Sequence, residues 1–345
     1  MPFDLDKVVN EYRENGYVSG LPILSKYEAR KLQNYIVELE KKFPKGAGGH
    51  SLNQFFRVNG HVVIPKLAEI ARNSTILGIV EAILGPNLLA WSVELFIKEA
   101  KSVKTVSWHQ DITYWGMGET DDEVTAWLAL SNVTAEAGCM RFIPGSHKQG
   151  LVHHNDTFDK HNLLSRGQEI ADVCEKDAVY GPLLPGQISL HHGRCFHASG
   201  QNQSNGRRIG IAIRYVTPEV RDHAPGHDWA MPVRGEIPRG GWDCIAGPRG
   251  LFHPEDLMLY NRILMHKGDY AKGEEVLRIL TLKRPNDPQI WYWLAEVQGL
   301  DKNIIGLHLS RAEYFYLTGS YETSLKHLRM ALELVGNNFQ LTETI

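Results

Sequence analysis

Residues 208–215, Arg-Ile-Gly-Ile-Ala-Ile-Arg-Tyr, alternate without a break. Side chains of a strand point to opposite faces in turn, so Ile209, Ile211, Ile213 and Tyr215 share one side while Arg208, Gly210, Ala212 and Arg214 share the other. The first set makes a core face. The second carries two guanidiniums separated by minimal side chains, which suits the wall of a cavity that holds an anion, because a guanidinium fork matches a carboxylate in two parallel hydrogen bonds. Residues 187–192, opened by the turn signal Pro185-Gly186, read as a second strand.

His197 falls between these two strands, and far upstream stands Trp108-His109-Gln110-Asp111. Two histidines and one carboxylate, two of them spaced i, i+2, are what a 2-His-1-carboxylate facial triad needs, the geometry of non-haem Fe(II) oxygenases. A single strand passing through 109–111 is expected to supply both His109 and Asp111, with Gln110 pointing away. An isolated His-x-Asp is a weak signal; the later histidine and Arg208 make it specific.

The stretch from Lys98 to Tyr215 resembles the phytanoyl-CoA dioxygenase family of Fe(II)- and 2-oxoglutarate-dependent oxygenases. The matching pieces are 107–111 (Ser-Trp-His-Gln-Asp), 126–130 (Ala-Trp-Leu-Ala-Leu), 138–147 (Gly-Cys-Met-Arg-Phe-Ile-Pro-Gly-Ser-His), 197–202 (His-Ala-Ser-Gly-Gln-Asn) and Arg208. The resemblance implies His109, Asp111 and His197 as iron ligands and Arg208 as the partner of the distal carboxylate of 2-oxoglutarate. It implies Ser199 on the same carboxylate, Trp127 packed on the cosubstrate and Lys98 as a further contact. His147, His191 and His192 stay outside the metal set, and His153 and His154 read as a solvated or lid pair. Dioxygen is the second cosubstrate, and succinate and carbon dioxide are by-products. Halogenating relatives carry a small residue where Asp111 stands, so hydroxylation of a small molecule is expected; a halogenase or desaturase acting on a carrier-tethered substrate, or a non-catalytic interaction protein, are the alternatives. Tyr114, Trp115 and Arg214 are the candidate substrate contacts.

The expected fold is α+β, a double-stranded β-helix (jelly-roll, cupin-like) core braced by N-terminal helices over residues 4–15, 26–42 and 67–84. A polar segment, 147–180, is expected to cover the cavity mouth. A Pro- and Gly-rich loop over 217–250 is expected to lack regular structure. The domains divide at 1–250 and 251–345, the latter helical and tetratricopeptide-like, with turns at Gly268-Asp269-Tyr270 and Gly319-Ser320-Tyr321. Their separation of 51 departs from the 34 of that repeat. These helices are candidates for a protein partner or a homodimer contact.

With 345 residues, 43% of them hydrophobic, the chain can bury a large core. A net charge of -3 without a basic stripe argues against a nucleic-acid binder. Cys139, Cys174, Cys195 and Cys244 form no CxxC and read as reduced thiols of a cytoplasmic enzyme. The acidic start Met1-Pro2-Phe3-Asp4-Leu5-Asp6 is no signal peptide, and no apolar run reaches membrane-spanning length.

Overall fold

The computed structural model of the protein describes residues 3–47, 51–164, 167–223, 227–237 and 241–335. The chain divides into two compact units: Met1–Lys42 with Phe56–His61 and Lys66–Gly247, and Phe43–Phe55 with Val62–Pro65 and Pro248–Ile345.

In chain order, α1 (Leu5–Asn15), strand β1 (Tyr17–Pro22) and α2 (Lys26–Lys42) belong to the first unit, α3 (Leu52–Arg57) is shared between the two, and α4 (Pro65–Ala71), but for Pro65, and α5 (Ser74–Leu84) belong to the first. α1 is opened by Asp4, whose carboxylate accepts from the Lys7 amide, and closed by Gly16 in the left-handed region. The single helix expected over 67–84 is instead two. Asn73 sits extended between them and its side chain accepts from the amides of Thr75 and Ile76, so a cap restarts the helix where no Gly or Pro announces a break.

The strands that follow are β2 (Leu88–Lys98), β3 (Val106–His109), β4 (Glu123–Ala129), β5 (Met140–Phe142), β6 (Asn155–Asp156), β7 (Gln168–Glu169), β8 (Val179–Gly181), β9 (Gln187–His191), β10 (His197–Ser199), β11 (Arg208–Val216), β12 (Asp228–Arg234) and β13 (Trp242–Cys244). They form a seven-stranded sheet in the order β1-β9-β4-β11-β2-β12-β13 and a four-stranded sheet β3-β10-β5-β8, with β6 and β7 a separate hairpin. The two larger sheets make the double-stranded β-helix, flanked by helices. The expected loop at 217–250 is corrected: β12 adds to β2 antiparallel and β13 adds to β12 in parallel. Asp228, Pro232 and Arg234 break the apolar alternation by which a strand is read, and Pro232 in particular argues against one.

All of β11 is buried, with the parity its sequence dictates. Ile209, Ile211, Ile213 and Tyr215 are fully covered, and the Tyr215 hydroxyl donates to the Ala71 carbonyl at the end of α4. On the opposite face Trp127, Ala129, Met140, Phe142 and Ala212 form an inner core, against which Tyr17 and Phe96 pack. Gly210 is required there. A Cβ at that position would lie inside the Trp127 indole, so the glycine lets the ring cross the strand.

The second unit holds α6 (Pro254–His266), α7 (Tyr270–Lys283), α8 (Pro288–Leu300), α9 (Ile304–Leu317) and α10 (Tyr321–Val335), each packed on the next. Pro254 and Pro288 start α6 and α8, 34 residues apart, and Tyr270 and Ile304 start α7 and α9 at the same interval. The tetratricopeptide period is therefore present. The 51-residue spacing of the Gly turns arises because Gly268 joins α6 to α7 whereas Gly319 joins α9 to α10, one and a half repeats later. Glu274 of α7 accepts from Gln298 and Asn303, and Gln298 accepts from Ser310, a buried polar lock across three helices.

Gly210→Ala forces the Trp127 ring off β11, and overpacking of this kind costs about 1–3 kcal/mol. Denaturant unfolding with tryptophan fluorescence is expected to show that loss together with a changed native emission, and an unchanged midpoint would refute the packing described.

Candidate metal centre

The register of the smaller sheet brings two histidines together. In the antiparallel pair β3 and β10, His197 stands opposite His109, and their rings lie 4.1 Å apart between centroids. Each ring is oriented by its own backbone: His109 Nδ1 is 2.8 Å from the Ser107 carbonyl and His197 Nδ1 is 2.9 Å from that of Cys195. A carbonyl only accepts, so each Nδ1 carries the proton and each Nε2 presents a lone pair.

Asp111 reaches them by a different route from the one expected. β3 ends at His109, and Asp111 opens a 3-10 turn (Asp111–Tyr114), so the two side chains do not share the pleat of one strand. Gln110 makes the bend. Its side-chain amide donates to the Gly150 and Arg194 carbonyls, its oxygen accepts from the Val152 amide, and its own amide donates to His154 Nε2. This places Asp111 Oδ1 at 3.3 Å from His109 Nε2 and 3.9 Å from His197 Nε2. One donor atom from each of the three lies within 4.8 Å of the others, and all three residues are buried. It is the one group of three or more metal-ligating side chains among the described residues.

Electrostatics keep the three ready to coordinate. Burial acts to raise the Asp111 pKa, but the Arg214 guanidinium and the His109, His191 and His197 rings around it outweigh it and hold the carboxyl well below its ordinary value. Burial, with His109 and His191 close by, pushes His197 well below the usual histidine range, so its ring stays neutral. Thr125 donates to Asp111 Oδ2 at 3.1 Å. Such outer hydrogen bonds orient ligand groups.

The triad opens into a cavity lined also by Phe96, Val106, Trp127, Met140, Leu164, Ser199, Arg208 and Arg214. Arg208 is buried, its guanidinium lies 4.7 Å from the Trp127 ring centroid, and its Nε has no hydrogen-bond partner. No carboxylate pairs with it among the described residues, and burial pushes its pKa down to about 10. A buried, unpaired guanidinium is costly unless an anion arrives. Ser199 Oγ accepts from Lys98 Nζ at 2.8 Å and lies 3.5 Å from Arg208 Nη1. Lys98 is fully buried and also donates to the Gly200 carbonyl; burial, then Arg208, pushes its pKa down to about 6.

The candidate substrate contacts fare unevenly. Arg214 lines the cavity but is ion-paired with Glu94 at 2.9 Å. Trp115 packs against Trp91 and over the Arg214 guanidinium, away from the lining. The side chain of Tyr114 lies outside the described residues. Sequence reasoning passed over Thr125; it took Gln110 only as pointing away and kept His191 outside the metal set, where the three-residue group also leaves it. His191 has its Nε2 3.5 Å from Asp111 Oδ2 and lines the cavity; its strand position was legible, its direction was not. His192 is buried and bonded to Asp121, and His154 holds Gln110.

The model of the family described as phytanoyl-CoA dioxygenase (PhyH) matches residues 12–210. A probable alpha-ketoglutarate-dependent hypophosphite dioxygenase of Stutzerimonas stutzeri is 26% identical over 226 residues, covering 61% of this chain and 78% of that protein. Human peroxisomal phytanoyl-CoA dioxygenase is 30% identical over 148 residues, 42% of this chain and 44% of its own length, so the match spans less than half of that relative. Among solved structures, the apo non-heme monooxygenase ThoJ superposes with a TM-score of 0.65 at 31% identity, covering 75% of this chain and 95% of that one. No helix among the described residues is long and apolar enough to cross a membrane. The chain belongs to the phytanoyl-CoA dioxygenase (PhyH) family and is a non-haem iron, 2-oxoglutarate-dependent oxygenase.

Proposed function

We propose that the protein hydroxylates a C–H bond of a small molecule, coupled to conversion of 2-oxoglutarate and dioxygen to succinate and carbon dioxide. One observation carries this reading: three anchored donor atoms, His109 Nε2, Asp111 Oδ1 and His197 Nε2, face the same cavity as a buried guanidinium that lacks a carboxylate partner. In this reading the triad holds Fe(II), while Arg208, with Ser199 and Lys98, takes the distal carboxylate of the cosubstrate. When bound, the iron would activate dioxygen, the oxidant, with 2-oxoglutarate supplying two of the electrons.

The protein's own part is positional. Ser107 and Cys195 carbonyls fix the imidazole tautomers, Thr125 and Arg214 hold Asp111 ionised, and Trp127 walls the cosubstrate end. Phe96, Val106, Met140 and Leu164 supply apolar lining that keeps bulk water from the reacting carbon. The carboxylate of Asp111 fills the position that a small residue opens to halide in halogenating relatives, which favours hydroxylation. Oxygenase chemistry is assigned to residues 1–250, and the helices of 251–345 are an appendage to it. The Stutzerimonas relative, named for hypophosphite, supports a small substrate.

His109→Ala and Asp111→Ala are each expected to reduce Fe(II)-dependent succinate formation to background in a substrate panel scored by mass for gain of one oxygen. Retention of the activity in either variant would remove the triad from the reaction. A second outcome concerns protons. At pH 8 Lys98, with a pKa of about 6, is neutral, and a dicarboxylate placed beside it raises that pKa, so binding takes up a proton. Calorimetry of 2-oxoglutarate with the anaerobic Fe(II) protein, in buffers of different ionisation enthalpy, is expected to show uptake of about one proton. Lys98→Met should abolish it, and binding without uptake in the parent protein would place Lys98 away from the cosubstrate.

A further inference from the structure

Arg57, the last residue of α3, lies directly behind the cavity lining without a role in anything described above. Its guanidinium lies 3.9 Å from the centroid of the Phe96 ring, and Phe96 lines the cavity. Nη2 donates to the Leu163 carbonyl at 3.4 Å, next to Leu164 of the lining. Nη1 is buried and has no hydrogen-bond partner. No carboxylate is within ion-pair distance of Arg57 among the described residues. Glu94 is close enough to act on its charge, but that carboxylate is already paired with Arg214.

The charges around the cavity are therefore unequal. Arg208 and Arg214 line it with Asp111, Arg57 and Glu94 lie behind the lining, and a ferrous ion and a dianionic cosubstrate cancel one another. Positive charge is left over, and the cation without an anion is Arg57, since Arg208 and Lys98 are committed to the cosubstrate and Arg214 to Glu94. A half-buried guanidinium with an aromatic ring on one side, backbone on the other and a buried Nη1 that has no partner gains from an anion that can take two of its N–H donors.

We infer that Arg57 is a substrate-specificity residue that binds an anionic group, a carboxylate or a phosphorus oxyanion, of the substrate being oxidised. The inference rests on the oxygenase reading above. It revises the expectation for Arg214, whose part is to carry Glu94 and hold Asp111. An anion at Arg57 would leave the substrate's carbon chain running along Phe96 and Leu164 toward the triad.

The test uses the full chain loaded anaerobically with Fe(II) and 2-oxoglutarate, whose binding is measured first. Methylphosphonate and its neutral dimethyl ester are then titrated by calorimetry. Methylphosphonate is expected to bind and the ester not to bind. Arg57→Gln should weaken the anion about 10- to 100-fold, the cost of losing a hydrogen bond to a charged group, while 2-oxoglutarate affinity and melting temperature stay near the parent's. Arg57→Lys, which keeps the charge, should recover part of the affinity. Equal binding of anion and ester, absence of methylphosphonate binding, or unchanged affinity in Arg57→Gln would each overturn the inference. Failure of 2-oxoglutarate to bind in the first step would instead overturn the reading of the cavity on which it rests.

Discussion

Everything at the centre of this protein depends on the antiparallel pairing of two short strands, β3 and β10, which sets His197 opposite His109. A register slip of one residue would turn one ring to the other face of the sheet. Both Nδ1 atoms are tied to backbone carbonyls two residues back, so the same segments that bring the rings together also fix their tautomers. Gln110 completes the arrangement by ending β3 and folding Asp111 back over the two Nε2 atoms.

Charge balance explains the surroundings. A buried carboxylate between neutral imidazoles needs compensation, and Arg214 supplies it while its own excess is met by Glu94. Arg208, buried on the cavity lining, has no carboxylate partner among the described residues, and neither does the half-buried Arg57 behind Phe96. A buried guanidinium left unpaired by the protein is costly unless an anion completes it. The cavity thus has a satisfied cluster around the His-Asp-His group and an unpaired cation at the Arg208 end.

Much of this was legible in the sequence, because it lies on features that spacing encodes. The alternation of 208–215 fixed which side of β11 faces the cavity, and Arg208, Ala212 and Arg214 do line it. His109, Asp111 and His197 were recognisable from their types and separation. The route by which Asp111 arrives was not, since i, i+2 spacing fits either a continuous strand or a strand ending in a 3-10 turn, and only the tertiary bonds of Gln110 decide between them. The strands at 228–234 and 242–244 were hidden by prolines and charges, and the break at Asn73 by an otherwise continuous helical pattern. Arg57 lay beyond reach for a plainer reason. It belongs to no motif, and its significance comes from Phe96 and Leu163, 39 and 106 positions away in the chain.

One ferrous ion is expected where the three donor atoms converge. Crystals grown anaerobically with Fe(II), measured on both sides of the iron absorption edge, test this without recourse to activity. A single anomalous peak bonded to His109 Nε2, Asp111 Oδ1 and His197 Nε2 is the expected result. A map with no peak there, or with the iron held by other side chains, would contradict it.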